Sequence, residues 1–155
     1  MSTSIKPECL FCRLIAGNLS ARIVFEDDAS LAFLDHRPLF PGHTLLVPKQ
    51  HFETLADLPT ELVAPLFKNA QLLSQVVEQA LQAEGTFVAI NNRVSQSVPH
   101  LHVHIVPRKK KDGLKGFFWP RNKYDSEAHL DEVQAAIKQG ISDLRKEKQQ
   151  ENPHG

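Results

Sequence analysis

One short segment, "VPHLHVHIVPR" at residues 98–108, alternates three histidines with branched apolar residues. Period-two alternation predicts a strand, with the apolar side chains on a core and His100, His102 and His104 in a row on the other face. Neighbouring histidines would lie about 6–7 Å apart. Neutral imidazole can attack phosphorus without charge repulsion and form an N–P bond that water then cleaves. The alternative is a metal site, because His-x-His on a strand also binds zinc.

Nucleophilic use of such a histidine sets requirements on its neighbours. The attacking nitrogen must be unprotonated, so the other ring nitrogen must hold its proton against an acceptor such as a backbone carbonyl. Imidazoles two residues away can donate to the phosphate oxygens as charge shifts. A strand suits this task because it fixes the directions of its side chains. This chemistry needs no catalytic metal.

The only two cysteines of the chain, Cys9 and Cys12, have the spacing C-x-x-C. Two cysteines do not make a disulfide framework, and no strand precedes them as a redox motif would require. Inert thiols and a redox pair are the alternatives to a metal site. C-x-x-C supplies half of a tetrahedral zinc site and needs two further ligands.

Composition narrows the class of protein. The 155 residues suffice for one domain, which we assign to residues 1–147, with residues 148–155 as a flexible tail. The formal net charge is zero, which gives no global reason to expect nucleic-acid or membrane binding. No apolar run reaches the roughly 18 residues of a membrane span, and the N-terminus is too polar for a signal peptide. We therefore expect a cytoplasmic protein.

Hydrophobic patterning predicts five strands and three helices. The helices are a short one at residues 13–16 stopped by Gly17, a long one at 60–83 with Thr60 as N-cap and Gly85 as stop, and an amphipathic one at 126–146. The strands are "ARIVFEDD", "SLAFLD", "HTLLVPK", "TFVAINN" and "LHVHIVPR". Strands grouped around one long helix predict an α+β fold with a largely antiparallel sheet.

Several ordered motifs resemble those of one known family. "HLHVHIV" matches the pattern H-φ-H-φ-H-φ-φ, and it is accompanied by "QSV", "FEDDASLAFLDHRPLFPGHTLLVPKQH" and "CLFCRLIAG". Together these blocks resemble the histidine-triad (HIT) nucleotide hydrolases and transferases along nearly the whole chain. The resemblance implies a five-stranded antiparallel sheet with one long helix and a C-terminal helix, and a homodimer. One departure is the glycine-free "NNRVS" at residues 91–95, where many members have a glycine-rich loop.

The resemblance also implies roles for single residues. The middle histidine, His102, resembles the nucleophile, and His104 resembles the triad member that contacts phosphate oxygens. His43 resembles the upstream histidine near the nucleophile. In zinc-bearing members, the cysteine pair is joined by two histidines, which gives the metal-ligand set Cys9, Cys12, His51 and His100. Judged by its neighbours alone, His43 is equally a structural histidine.

A second group of residues resembles the family's substrate contacts. Asp35 resembles the acid that holds the ribose hydroxyls, and His36 lies beside the base. The counterparts of the phosphate and leaving-group contacts are Asn91, Gln96 and Ser97. On local sequence alone, Asp35 fits a turn-forming acid as well as it fits a ribose contact. Gln96 and Ser97 likewise fit an ordinary loop. Trp119 resembles aromatics that approach the partner's site in some members, although core or dimer packing is the alternative.

The resulting expectation is a hydrolase that attacks the α-phosphate of an adenosine nucleotide through a nucleotidyl-histidine. Dinucleoside polyphosphates such as diadenosine tetraphosphate are the first substrate class, and adenosine 5′-phosphoramidates or aminoacyl-adenylates are the alternative. The basic run at residues 108–111 is either a solvated loop or a funnel for a polyphosphate. Two other classes stay open: a non-catalytic nucleotide-binding regulatory dimer, and a zinc hydrolase that uses the triad as ligands.

Overall fold

The structure of the chain is a computed structural model that describes residues 6–114 and 122–151. Its contacts divide it into two units, Met1–Gly113 and Leu114–Gly155. The first unit contains the sheet and two helices, and the second contains one long helix. Trp119, for which we predicted a place near the partner's site or in a core, lies outside the described residues. Among the described residues, no helix has the length and apolar character to cross a membrane.

Five strands of the first unit form one antiparallel sheet in the order β1-β2-β3-β5-β4. Along the chain its elements are α1 (Leu10–Ile15), β1 (Ile23–Glu26), β2 (Ser30–Leu34), β3 (Thr44–Pro48), a 3₁₀ turn (Leu55–Asp57), α2 (Thr60–Ala80), β4 (Gly85–Ala89) and β5 (Val103–Arg108). The second unit contains α3 (Glu127–Glu151). The α+β fold with a five-stranded antiparallel sheet is thus confirmed.

Two apolar clusters cover the two faces of the sheet. The cluster that includes α2 takes in Leu46, Leu101, Val103 and Ile105, all fully buried. Successive side chains of a strand point to opposite faces, so the intervening histidines fall on the other side. That side carries the second cluster, to which α1 contributes Phe11 and Leu14 and the sheet contributes Phe33, Leu45 and Val47. The predicted division of apolar and histidine positions is therefore observed.

The triad segment departs from the prediction in one respect. β5 begins at Val103, so His100 and His102 lie in the approach to the strand and only His104 lies inside it. The Leu101 N–H donates to the carbonyl of Phe52 (2.6 Å) and the His100 N–H to that of Val98 (2.8 Å). Because these amides bond to loops, they are not available to the ladder with β3.

The predicted ends of the helices also shift. α1 begins at Leu10, three residues before the predicted start, and so includes Cys12. α2 is preceded by Pro59 in an extended conformation, which makes Thr60 its first residue rather than its cap. α2 ends at Ala80, and Gly85 opens β4 instead of stopping the helix. α3 continues through Glu151, into the segment that we predicted as a tail. The single-domain assignment of residues 1–147 stays a prediction.

Candidate active site

A cavity of about 880 Å³ opens on the histidine face of the sheet. Its apolar lining comes from α1, the loop that follows α1, the sheet and the loop before β5: Leu10, Phe11, Leu14, Leu19, Ala21, Phe33, Leu34, Leu45 and Val98. Its polar lining consists of Ser20, Arg22, Asp35, His36, Ser97, His102 and His104. The volume and the mixture of an apolar wall with a few convergent polar groups are those of a small-molecule site. Of the residues predicted from sequence, five line this cavity.

The ring of His102 is held in one tautomer by the backbone. Its Nδ1 lies 2.7 Å from the carbonyl oxygen of His100, which can only accept, so Nδ1 carries the proton. In the neutral ring, Nε2 then carries a lone pair. The ring is buried, and it meets the rings of Phe11 and His104 edge-on at centroid distances of 5.3 and 4.8 Å.

A chain of hydrogen bonds orders the two neighbouring imidazoles. The Leu39 N–H donates to Nδ1 of His43 (3.1 Å), so the proton of neutral His43 lies on Nε2. That Nε2–H donates to Nδ1 of His104 (2.9 Å). The proton of His104 must therefore lie on its Nε2, which is buried and has no hydrogen-bond partner among the described residues. This series of hydrogen bonds leaves the Nε2–H group of His104 as an unused donor beside His102.

Burial keeps these two rings neutral. It lowers the pKa of His104 to about 4, helped by repulsion from His102 and His43 and opposed by Asp35. Burial also lowers the pKa of His43, again with Asp35 opposing and His102 assisting. Both imidazoles are therefore uncharged at neutral pH, as the hydrogen-bond chain requires.

Asp35 and His36 lie at the end of β2, where the chain turns away from the sheet. The Asp35 Oδ1 accepts from the Arg37 N–H (2.8 Å), a bond typical of a turn-forming acid. The same carboxylate lines the cavity, so the turn and the site use one residue. The His36 side chain is 87% exposed at the rim.

The loop before the triad holds the remaining predicted substrate contacts. Ser97 lines the cavity, whereas Asn91 and Gln96 are not among its lining residues. The Gln96 amide donates to the Glu53 carbonyl (2.6 Å) and accepts from the Arg93 N–H (2.8 Å). These bonds secure a glycine-free loop in which Arg93 and Ser95 have positive φ. Phosphate contact by Asn91 and Gln96 stays a prediction.

Cys9, Cys12, His51 and His100 form a buried cluster whose ligand atoms lie within 4.8 Å of one another. Three sulfur–nitrogen distances are 3.3, 3.5 and 3.6 Å. Tetrahedral zinc with ordinary Zn–S and Zn–N bonds separates such ligands by about 3.6 Å. The outer nitrogen of His100 donates to the Pro48 carbonyl (2.9 Å), the support that metal-bound histidines usually have. Burial raises the pKa of the Cys12 thiol, which a bound cation would reverse. The four residues fit a zinc ion.

The triad histidines do not converge on a common metal. His100 faces the cysteines, while His102 and His104 face the cavity. Asp35, His43 and His104 also lie close together. However, both ring nitrogens of His43 are already engaged, one by the Leu39 N–H and one by His104. His43 has no lone pair left for a cation, which argues against a zinc hydrolase that uses the triad as ligands.

The basic run lies away from this cavity. β5 pairs His104 with Ala89 and Arg108 with Gly85, at opposite ends of the same two strands. Four residues of strand put about 13 Å between those ends. Arg108 binds Asp112, and the Lys110 N–H donates to Glu84. The interpretation as a solvated loop therefore fits the structure better than a phosphate funnel.

Sequence reasoning missed the apolar wall of the cavity and the side chain of Arg22, which also lines it. Phe11, Leu14 and Leu19 follow the cysteine pair, and their role depends on α1 folding back over the histidines. Arg22 precedes β1 and carries no motif. A signal existed for the wall, since apolar residues recur through the "CLFCRLIAGNL" segment, but a core helix has the same pattern.

Comparison with known proteins identifies the family. The HIT domain profile matches residues 16–111, well over half of the chain, and the chain belongs to the HIT family. It is 39% identical over 132 residues to a HIT-like protein of Methanocaldococcus jannaschii (84% of this chain, 98% of that protein). It is 35% identical over 115 residues to the adenylylsulfatase HINT3 of Arabidopsis thaliana (73% of this chain, 58% of that protein). The bis(5′-nucleosyl)-tetraphosphatase [asymmetrical] of Schizosaccharomyces pombe is 34% identical over 96 residues (61% of this chain, 53% of that protein). The chain thus spans little more than half of the two relatives that are named as enzymes.

Solved structures agree with this assignment. The protein SMU.412c from Streptococcus mutans superimposes with a TM-score of 0.81 at 31% identity (91% of this chain, 89% of that one). A Zn-bound histidine triad family protein from Mycobacterium smegmatis gives a TM-score of 0.66 at 36% identity (87% of this chain, 96% of that one). The family to which the chain belongs includes proteins named as a nucleotide-binding protein, as an adenylylsulfatase and as a bis(5′-nucleosyl)-tetraphosphatase.

Proposed function

We propose that this protein is a hydrolase that attacks the α-phosphate of an adenosine nucleotide and forms a nucleotidyl-histidine on His102. The observation that carries the proposal is the hydrogen bond from His102 Nδ1 to the His100 carbonyl. It leaves the lone pair of Nε2 unused at a cavity that also offers a carboxylate and an apolar wall. The enzymatic names of two relatives support a hydrolytic activity.

The cavity lining suggests how a nucleotide would bind. The apolar residues from α1 and the sheet would contact the base, with His36 at the rim. Asp35 would accept hydrogen bonds from the ribose hydroxyls. This placement would bring the α-phosphate to His102 and His104, with Asn91, Gln96 and Ser97 on the side of the leaving group.

The chemistry follows from the tautomers. Nε2 of His102 attacks phosphorus, an N–P bond forms, and the bond from phosphorus to the leaving group breaks with its electron pair going to that group. Positive charge then develops on His102 and is stabilised by the carbonyl at Nδ1. His104 donates its unused Nε2–H to a phosphate oxygen, and His43 fixes the tautomer of His104. Water finally cleaves the N–P bond and restores His102.

The leaving group decides which substrate the enzyme prefers. Dinucleoside polyphosphates stay our first class, supported by the S. pombe relative, while adenosine phosphoramidates and aminoacyl-adenylates are the alternative. The A. thaliana relative adds adenylyl sulfate. We would compare kcat/KM for diadenosine tetraphosphate, an adenosine phosphoramidate and adenylyl sulfate. Turnover of any of them supports the proposal, and the highest value identifies the class.

A non-catalytic regulatory dimer predicts a different result. Such a protein would bind adenosine monophosphate but turn over none of these compounds. Binding without turnover, and without an adduct on His102, would contradict a hydrolase and favour this alternative.

We also propose a structural zinc ion bound by Cys9, Cys12, His51 and His100. The distances among their ligand atoms support it, and so does the zinc in the M. smegmatis relative. Reduced thiol ligands suit a reducing compartment, so we propose a cytoplasmic location. Elemental analysis of protein purified without chelator should give about one zinc per chain. Cys9→Ser should lose it and His36→Ala should keep it; zinc-free wild-type protein would contradict the proposal.

Finally, we propose a homodimer that pairs through β4 and α2. β4 is an edge of the sheet, and the exposed apolar residues Phe67, Val76 and Val88 lie on these two elements. A shallow hollow between them is lined by Phe67, Ala70 and Val88. Exposed edges and apolar faces are usually covered, and a two-fold dimer is the commonest way to do so.

A further inference from the structure

We infer that the metal centre holds one wall of the nucleotide cavity in place, so that nucleotide affinity depends on a metal that does not touch the nucleotide. The inference rests on the proposed nucleotide site and on the fit of Cys9, Cys12, His51 and His100 to zinc. It assigns to Phe11, which lies between the two cysteines, the task of transmitting metal binding to the cavity.

The first observation is the arrangement of α1. Cys9 caps this short helix and Cys12 lies inside it, and both point into the metal cluster. Leu10, Phe11 and Leu14 of the same helix line the cavity. The N-cap residue and the six residues of the helix therefore carry two metal ligands and three wall residues, and no hinge separates the two sets. A movement of the cysteines must move the wall.

The second observation is how few polar contacts, apart from those of the cysteines, tie this segment to the sheet. Among the described residues, the backbone hydrogen bonds of residues 6–18 all stay within the segment. The ion pair that the described part of the chain shows for this segment, Lys6 with Glu53 (3.3 Å), is exposed, and such pairs contribute little. The remaining polar links are the contacts of Cys9 and Cys12 with His51 and His100. Without a metal these are weak thiol–imidazole contacts.

The third observation is the position of Phe11 against the reacting group. Its ring meets His102 edge-on at 5.3 Å and Phe33 at 5.4 Å, and it is 5% exposed. Phe11 is thus a positioning residue for the His102 ring as well as part of the wall. Apolar packing alone would still hold α1 part of the time, so we expect metal removal to weaken nucleotide binding rather than abolish it.

The test measures two properties besides turnover. Adenosine monophosphate affinity is determined by calorimetry, and amide hydrogen exchange of residues 10–16 is measured by mass spectrometry, for zinc-loaded and metal-free protein. We expect the dissociation constant to rise at least about tenfold without zinc, as loss of one apolar wall contact of this size does. Exchange at residues 10–16 should accelerate in parallel.

Four variants separate the effect of the wall from an effect on general stability. Phe11→Ala should keep its zinc, and amide hydrogen exchange at residues 10–16 should stay slow. Its dissociation constant for adenosine monophosphate should nevertheless rise about as much as it does when zinc is removed from the wild type. Cys9→Ser should bind adenosine monophosphate more weakly and exchange faster at residues 10–16. Cys9→His can still bind zinc, so its affinity and its exchange should be those of the wild type. Val77→Ala weakens the core on the α2 side and is the matched control. It should leave affinity and exchange at residues 10–16 unchanged.

Each result decides a stated point. Equal affinity, or equal exchange at residues 10–16, in zinc-loaded and metal-free protein overturns the inference, and so does failure to bind zinc. If the zinc-loaded protein does not bind adenosine monophosphate, the proposed nucleotide site fails. In that case faster exchange on zinc removal would still show the link between metal and wall, so the two failures are distinguishable.

Discussion

Two backbone groups decide which nitrogen of each imidazole carries a proton at this site. The His100 carbonyl accepts a hydrogen bond from Nδ1–H of His102. The Leu39 N–H donates to Nδ1 of His43, so Nε2 of His43 carries the proton and donates it to Nδ1 of His104, whose own proton then lies on Nε2. A neutral ring with a defined tautomer can act as nucleophile or donor without first losing a proton. Each role assigned to a histidine can be tested by replacing that residue.

Replacing His102 removes the proposed nucleophile. His102→Ala should lower kcat by about a thousandfold or more, because the covalent step has no substitute. Adduct mapping by mass spectrometry after a rapid, acid-free quench should place the nucleotidyl group on His102 in the wild type. His129→Ala, a histidine replacement in α3, is the control and should keep full activity. Near-normal turnover of His102→Ala would refute the assignment.

The buried pair His43 and His104 predicts a pH-dependent stability. Burial lowers the pKa of His104 from 6.5 to about 4 and lowers that of His43, with His102 and Asp35 as the charged or titratable neighbours. Between pH 6.5 and 4 the unfolded chain therefore binds protons that the folded chain does not. The free energy of unfolding should be highest above pH 6.5 and fall on acidification, by up to about 1.4 kcal/mol per pH unit for each group.

Urea unfolding of the zinc-loaded protein at several pH values measures this dependence. His104→Gln should lose less stability between pH 7 and 5 than the wild type. His36→Gln replaces an exposed histidine and should follow the wild-type curve. An unchanged slope in His104→Gln would mean that folding does not lower the pKa of His104.

At the scale of elements, short connections position the histidines. Gly42 precedes His43 and has a φ of +98°, a conformation that favours glycine. A Cβ at this position would also collide with Cδ1 of Leu81, which follows the end of α2, so that the Leu81 side chain would have to move. The loop that carries His43 therefore lies against the side chains of Leu81 and Pro107.

Gly42→Ala should therefore destabilise the protein by about 2 kcal/mol or more and lower activity by displacing His43. Gly113→Ala is the matched control, because Gly113 has a φ of +90° but nothing within 4 Å of an added Cβ. It should show only the cost of the backbone conformation, about 1–2 kcal/mol, with normal activity. Thermal denaturation and steady-state rates distinguish the two; equal behaviour would show that Leu81 simply moves aside.

At the scale of the whole molecule, the two edges of the sheet differ. The two edge strands are β4 and β1. Only β4 is proposed as part of the dimer interface, because exposed apolar residues of α2 lie beside it. Val88 on β4 and Val24 on β1 are similarly exposed, at 45% and 50%. If β4 and α2 form the dimer interface, Val88→Glu should give monomers in sedimentation at micromolar concentration, because a buried unpaired charge is costly. Val24→Glu should stay dimeric. A wild-type monomer would rule out the dimer.

Local patterning was sufficient for much of the fold. Period two in the triad segment predicted which face of β5 meets the core, and helical spacing predicted α2 and α3, because these periodicities follow from backbone geometry alone. The ends of elements were less predictable. β5 starts later than predicted because the Leu101 N–H donates to the carbonyl of Phe52, a residue about fifty positions away. The residues next to Leu101 in the sequence do not predict that bond.

The sequence by itself determined the antiparallel α+β fold, the family and the residue types available for chemistry, since motif order and periodicity are local properties. Only the tertiary structure decided how those residues are used. It turned His100 toward the cysteines, set the tautomers of His102 and His104, placed the basic run far from the cavity and folded α1 over the histidines. The physical reason is that protonation, ligation and burial depend on atoms brought together from segments distant in the chain, and such contacts leave no local pattern.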